Sequence, residues 1–146
     1  MELNTLEEIE HIKQLKARYF RLMDQKRWDE WREVFTEDVI AVYHGPHPDL
    51  RYEGRATLVA QISTTLATAV TVHHGHMPEI ELTSPSTATG IWAMFDYVRL
   101  PGLTFKGYGH YEEEYVKEDG KWKIKTLRLT RLHCDVSRER TEGVDG

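Results

Sequence analysis

Three histidines stand within Val72-His73-His74-Gly75-His76, and histidine is the side chain best suited to take up and return a proton near neutral pH. With the period of two of a strand, His73 faces one side while His74 and His76 face the other. On an apolar strand face a histidine is ordinarily a hydrogen-bonded core residue. The pair His74-x-His76 also projects together, as two metal ligands would, and His110 is the candidate third ligand. No aspartate or glutamate completes a recognised metal motif, so no metal is expected.

Asp24 falls where the first helical pattern ends. A carboxylate there faces the negative end of the helix dipole, which is unfavourable by about 0.3–1 kcal/mol unless something offsets it. Helical spacing puts Asp24 on the flank of the apolar stripe, so it either turns partly inward or opens the solvated turn Asp24-Gln25-Lys26. Tyr19 and Tyr43 interrupt apolar stripes, where a buried phenol either fills the core or finds a polar partner. Arg131 lies among Leu127, Leu129 and Leu132 and either alternates outward beside Arg128 or turns in. His110 follows Gly107-Tyr108-Gly109, whose glycines permit close backbone approach or a kink.

The 146 residues suit one domain, 40% hydrophobic and 29% charged, as in an ordinary globular protein. Nineteen basic and 24 acidic side chains leave a net charge of −5, and no basic run exceeds two residues. That argues against a broad nucleic-acid footprint, and leaves room only for a local basic patch. There is no Gly-rich phosphate loop, nucleophile-elbow serine or CxxC pair. Cys134 is the single cysteine, so no internal disulfide can form. Met1-Glu2-Leu3-Asn4 is unlike a signal peptide, and no apolar run approaches the ~20 residues of a membrane span; a cytoplasmic location, with no membrane partner, is expected.

The elements that must position these residues follow from periodicity. Thr5-Leu6-Glu7-Glu8 reads as a capping box, after which Leu6, Ile9, Ile12, Leu15, Tyr19, Leu22 and Met23 form one helical stripe. A shorter helix carries Trp28, Trp31, Val34 and Phe35. Asp38 to His44 reads as a strand, Gly45-Pro46-His47-Pro48 as a loop, and Leu58, Ile62 and Leu66 as a third helix. Strands are then predicted over 70–82, 87–100, 104–117 and 122–134, with Asp119-Gly120 as the strongest hairpin signal. Residues 137–146 read as a frayed tail. Helices first and long antiparallel strands after give an α+β class. Such long strands must twist and curl, and helices across the open side of the curl would cover a pocket.

The segment Arg18-Tyr19-Phe20-Arg21-Leu22-Met23-Asp24 with Lys26-Arg27-Trp28-Asp29-Glu30 resembles the start of SnoaL-like proteins of the NTF2-like superfamily. It is most similar to the bile acid 7α-dehydratase branch and, more distantly, to scytalone dehydratase. Val72-His73-His74-Gly75-His76-Met77-Pro78-Glu79-Ile80, Thr87-Ala88-Thr89-Gly90-Ile91-Trp92 and Tyr115-Val116-Lys117-Glu118-Asp119-Gly120-Lys121-Trp122 continue the likeness, over roughly residues 6 to 135. The resemblance implies an NTF2-like cone, a strongly curved and mainly antiparallel sheet with three helices covering a pocket, in a single domain of residues 1–146.

For the site, the bile acid dehydratase pattern falls on Tyr19, Asp24, His73 and Arg131, and scytalone dehydratase adds Tyr43 and His110 as substrate-binding candidates. The lindane dehydrochlorinase relative matches Asp24 and His73, with Tyr19 where that protein carries a helix lysine. His74 stands where the closest pattern has an apolar residue. The chain ends at Gly146, where those relatives carry a further tail that can close the pocket.

These likenesses imply a lyase that removes water from a hydrophobic hydroxy-carbonyl small molecule. His73 would act as base, Asp24 would orient it, Tyr19 would donate to the enolate oxygen, and Arg131 would hold substrate or reinforce that charge. Such chemistry needs neither metal nor organic cofactor. The same base would serve an isomerase, an aldol cyclase or a dehydrohalogenase, and the superfamily also has non-catalytic binding members. A homodimer or homotrimer is expected, with Trp92, Met94 and Tyr97, and Phe95 opposite, compatible with a covered outer sheet face.

Overall fold

Apolar residues spaced by three and four give way to alternation near residue 70, and in the computed structural model, which describes residues 3–138, all the helices lie before that point and only strands follow it. Helix α1 spans Leu3–Asp24 and α2 Trp28–Trp31, the latter running into a 3-10 turn over Arg32–Val34. Strands β1 (Phe35–Tyr43) and β2 (Leu50–Glu53) precede α3 (Arg55–Thr65). Then come β3 (Val70–Ser84), β4 (Thr87–Leu100), β5 (Leu103–Glu118) and β6 (Lys121–Arg138). β6 takes in Ser137 and Arg138, while the remainder of the expected tail, residues 139–146, lies outside the described residues.

The six strands form one sheet in the order β2-β1-β6-β5-β4-β3. Every neighbouring pair is antiparallel except β1 and β6, which are parallel. β2, which is four residues long and half exposed, was not predicted: a segment so short carries too little alternation to stand out.

α1 buries Ile12, Leu15, Tyr19, Phe20, Leu22 and Met23 against the sheet. Apolar burial at about 25 cal/mol per Å² makes this stripe the main force holding the helix in place. Lys26, at φ 58°, ends the helix in the left-handed region, with the Arg27 amide donating to the Leu22 carbonyl. The capping box at Thr5–Glu8 does not form. The helix is already under way at Leu3, and the Glu8 carboxylate instead accepts from Lys117 Nζ at 2.9 Å and Trp122 Nε1 at 2.5 Å. Two partly buried donors on the β5–β6 hairpin outcompete a local amide for that carboxylate.

Alternation along β4 turns Ala88, Gly90, Trp92, Met94, Asp96 and Val98 to the core side. Trp92 and Met94 are therefore interior residues, not part of an outer surface, and Trp92 Nε1 donates to Tyr115 Oη at 2.9 Å. The outer face carries a row of rings instead. His74, Phe95, Tyr108 and His133 stand side by side across four strands, with centroids 6.0, 5.5 and 5.9 Å apart.

Candidate active site

Asp24 is the last residue of α1, and its carboxylate crosses to the backbone of β3. Oδ2 accepts the His73 amide at 2.9 Å, while Oδ1 accepts Thr71 Oγ1 at 2.8 Å and meets His73 Nδ1 at 2.6 Å. Three hydrogen bonds to a carboxylate more than offset its unfavourable place at the helix C-terminus. Asp24 is 21% exposed and the His73 side chain 8%. An ionised carboxylate only accepts, so the proton of neutral His73 sits on Nδ1 and the free lone pair on Nε2.

Nε2 looks toward Asp96, whose Oδ2 is 3.9 Å away. Asp96 is 2% exposed and is met by the Arg131 guanidinium fork, Nη1 to Oδ1 at 2.7 Å and Nη2 to Oδ2 at 2.9 Å. Arg131 Nε donates to the His44 carbonyl at 2.8 Å, so three of its five donors are committed within the protein. Burial alone would lower the Arg131 pKa, but the hydrogen bonds and charge of Asp96 outweigh it and hold the pKa above its ordinary value. The pair fits only because residue 107 is glycine: a Cβ there would lie 1.6 Å from Arg131 Nη1 and 2.2 Å from Asp96 Oδ1.

A group of phenols fills the interior. Tyr19 and Tyr111 are fully buried, and Tyr19 Oη and Tyr43 Oη share a hydrogen bond of 2.9 Å. Burial pushes all three phenols well up from their ordinary pKa; nearby charge adds to it, the Tyr19 hydrogen bond opposes it at Tyr43 and Tyr111, and all three stay protonated as donors. Tyr19 also packs edge-on against Phe20, Phe35 and Tyr111, and its carbonyl accepts Trp31 Nε1.

The structure thus brings Asp24, His73 and Arg131 into one chain of contacts and pairs Tyr19 with Tyr43. It sets His110 apart. Along β5, Gly107, Gly109 and Tyr111 alternate toward the core, which leaves His110 on the opposite face with Tyr108 and Glu112. Asp96 and Thr71 went unread in the sequence. Asp96 did carry a signal, being an acid at the strand parity of Trp92 and Met94. Thr71 carried a weaker one, sharing the parity of His73. A surface cavity of about 660 Å³ lies between α1, α2 and the β5–β6 turn, lined by residues such as His11, Arg18, Arg21, Lys121 and Trp122. Its lining includes none of the residues of the Asp24–His73–Asp96–Arg131 chain. Among the described residues, no helix is long and apolar enough to cross a membrane.

A curved sheet closed on one side by three helices, with a carboxylate–imidazole pair where the first helix meets an edge strand, defines an α+β cone of the NTF2-like superfamily. Within it, the chain belongs to the SnoaL-like domain family, whose model matches residues 4–128. Probable cyclase FGR4 of Gibberella zeae is 26% identical over 134 residues, covering 84% of this chain and 89% of that protein. The crystal structure of a candidate scytalone dehydratase from Novosphingobium aromaticivorans superposes with a TM-score of 0.83 at 24% identity, covering 96% of this chain and 94% of the other. A hexachlorocyclohexane dehydrochlorinase, LinA Type2, superposes with a TM-score of 0.82 at 18% identity, covering 98% and 99%. At these identities the two likenesses establish the fold.

Proposed function

We propose that the protein is a cofactor-independent dehydratase acting on a hydrophobic small molecule that carries a hydroxyl group β to a carbonyl. The observation that carries this reading is the 2.6 Å contact between His73 Nδ1 and a carboxylate held by two further hydrogen bonds. Asp24 fixes the tautomer that leaves Nε2 free as base and stabilises the imidazolium once formed. His73 Nε2 takes the proton from the carbon beside the carbonyl, and the C–H electrons move into the enolate. Tyr19 donates to the enolate oxygen, which takes the place of Tyr43 as its partner. The enolate then collapses and expels the hydroxyl, which leaves as water with the proton returned from Nε2.

Asp96 favours a hydroxyl over a halide as leaving group. Nε2 and Oδ2, 3.9 Å apart, are two acceptors facing each other. A hydroxyl oxygen about 2.8 Å from each, with a corner of roughly 90°, bridges them. It donates its own hydrogen to Asp96 and receives the proton from His73. A chloride in that place would meet the carboxylate with nothing to donate. Arg131 acts on Asp96, holding the carboxylate at both oxygens and keeping it aimed.

The test is a panel of hydrophobic β-hydroxy ketones followed by the absorbance of the conjugated enone. Wild-type protein should turn over at least one. His73→Ala and Asp24→Asn should lose about 10²–10⁴ in rate, and Tyr19→Phe about 10²–10³, with the circular dichroism unchanged. Full activity in His73→Ala sinks the reading. Intramolecular aldol closure is the second reading, favoured by the relative named as a cyclase. Mass spectrometry separates the two, since cyclisation alone conserves mass whereas dehydration loses a water. We also propose self-association, as dimer or trimer, through the outer row of His74, Phe95, Tyr108 and His133.

A further inference from the structure

Lys16 is an anomaly in the apolar stripe of α1: its side chain and that of Glu113 on β5 are fully buried, and Nζ meets Oε2 at 2.7 Å. Glu113 Oε1 accepts from Tyr115 Oη at 2.7 Å, and Tyr115 in turn accepts from Trp92 Nε1. The ammonium lies over two tyrosine rings, 3.7 Å from the centroid of Tyr19 and 3.5 Å from that of Tyr111, with Phe20 at 4.9 Å. One N–H serves Glu113, and the other two are left to the ring faces.

A buried ion pair is poor scaffolding, because two apolar side chains of similar size commonly serve the core as well. The orientation of this one is informative. Burial is the main cause that lifts the pKa values of Tyr19, Tyr43 and Tyr111, and the negative charge of Glu113 adds to it. Left alone, that carboxylate would make the phenols weaker donors. The ammonium is seated against the rings themselves, where its positive charge opposes the carboxylate.

We propose that Lys16 is a positioning residue for the Tyr19 donor: held by Glu113 against the rings of Tyr19 and Tyr111, its ammonium draws density from both and strengthens the phenolic O–H toward an enolate oxygen. The proposal rests on the reading of Tyr19 as the enolate donor. It also gives the donor group a pH dependence separate from His73, since burial pulls the Lys16 pKa down to about 8 against the opposing effect of Glu113. The groups facing the ammonium are Tyr19 and Phe20 from α1 and Tyr111 and Glu113 from β5, with Tyr115 beyond the carboxylate.

Two measurements test it. In protein labelled with ¹³Cζ-tyrosine, the Tyr19 and Tyr111 resonances should shift together through a midpoint near pH 8, where neither phenol itself ionises. In the Lys16→Met/Glu113→Gln variant they should stay flat. Second, 4-nitrophenolate, the planar oxyanion of 4-nitrophenol and a mimic of an enolate, should bind the wild type at a pH just above neutral. Tyr19→Phe and the double variant should each bind it about tenfold more weakly. Flat wild-type resonances near pH 8, or unaltered 4-nitrophenol affinity in the folded double variant, would overturn the role of Lys16 alone. A wild type that does not bind 4-nitrophenol, or binding indifferent to Tyr19→Phe, would overturn the reading of Tyr19 itself, and the proposal with it.

Discussion

Arg131 grips Asp96 at two points, 2.7 and 2.9 Å, and the gripped carboxylate is the group that confronts His73 Nε2 from 3.9 Å. The fork neutralises most of the charge of a carboxylate that is 2% exposed. Removing one partner strands the other. Arg131→Met should cost about 3–5 kcal/mol, whereas Arg131→Met with Asp96→Leu should recover much of that loss. Urea unfolding of the single and double variants reads this directly. A double variant no more stable than the single would mean that the fork is not the coupling between them.

Gly107 leaves the space that the fork occupies. Gly107→Ala drives a methyl group into Arg131 Nη1 and Asp96 Oδ1, and such overpacking typically costs about 1–3 kcal/mol. The expected signature is a lowered melting temperature together with lost turnover, because Asp96 must move. Gly102→Ala is the control: it has no atom within 4 Å of the added methyl, though at φ 77° it carries a backbone cost of its own. It should lose stability without losing activity per folded molecule.

Thr71 tests whether Asp24 is held or merely present. Thr71→Val removes the 2.8 Å hydrogen bond to Oδ1 and leaves the His73 contacts in place. The loss should be about 1.5–3 kcal/mol in stability, on the scale of a hydrogen bond to a charged group. The rate should fall less than in Asp24→Asn, which also disturbs the tautomer of His73. Equal rate losses in the two variants would place the function of Asp24 in its Thr71 contact and not in orienting His73.

Local patterns account for what could be read beforehand. Helical spacing runs out at Asp24, and strand parity separates His73 from His74, so each residue announces its own direction. Pairings across the sheet do not announce themselves. Glu8 makes a plausible capping box with Thr5, yet it bonds Lys117 and Trp122, more than a hundred residues away. Assigning Trp92 and Met94 to an outer surface hid Asp96, which shares their parity. His110 was matched by its motif, and the parity of Gly107 and Gly109 already pointed it the other way. Lys16 sat in full view within the helical stripe, but its partner Glu113 lies 97 residues on.

The same buried lysine gives stability an unusual dependence on alkaline pH. Its folded pKa of about 8 lies below the ordinary 10.5, so between those values the unfolded chain binds more protons at this site than the folded one. Stability therefore carries a penalty below about pH 8 that is relieved as pH rises toward 10.5, worth on the order of 3 kcal/mol. Four tyrosines, three of them buried and Tyr43 half-buried, act in the opposite sense. Tyr19, Tyr43, Tyr111 and Tyr115 have pKa values raised mainly by burial, so their unfolded forms ionise first and stability falls above about pH 10. Wild-type protein should gain stability from pH 8 to 10, relative to Lys16→Met/Glu113→Gln, before both fall together. Denaturant midpoints at half-unit pH intervals separate the two limbs. A difference between the two proteins that stays constant from pH 7 to 10 would mean that Lys16 keeps its proton throughout, and that Glu113 holds the ammonium more firmly than burial expels it.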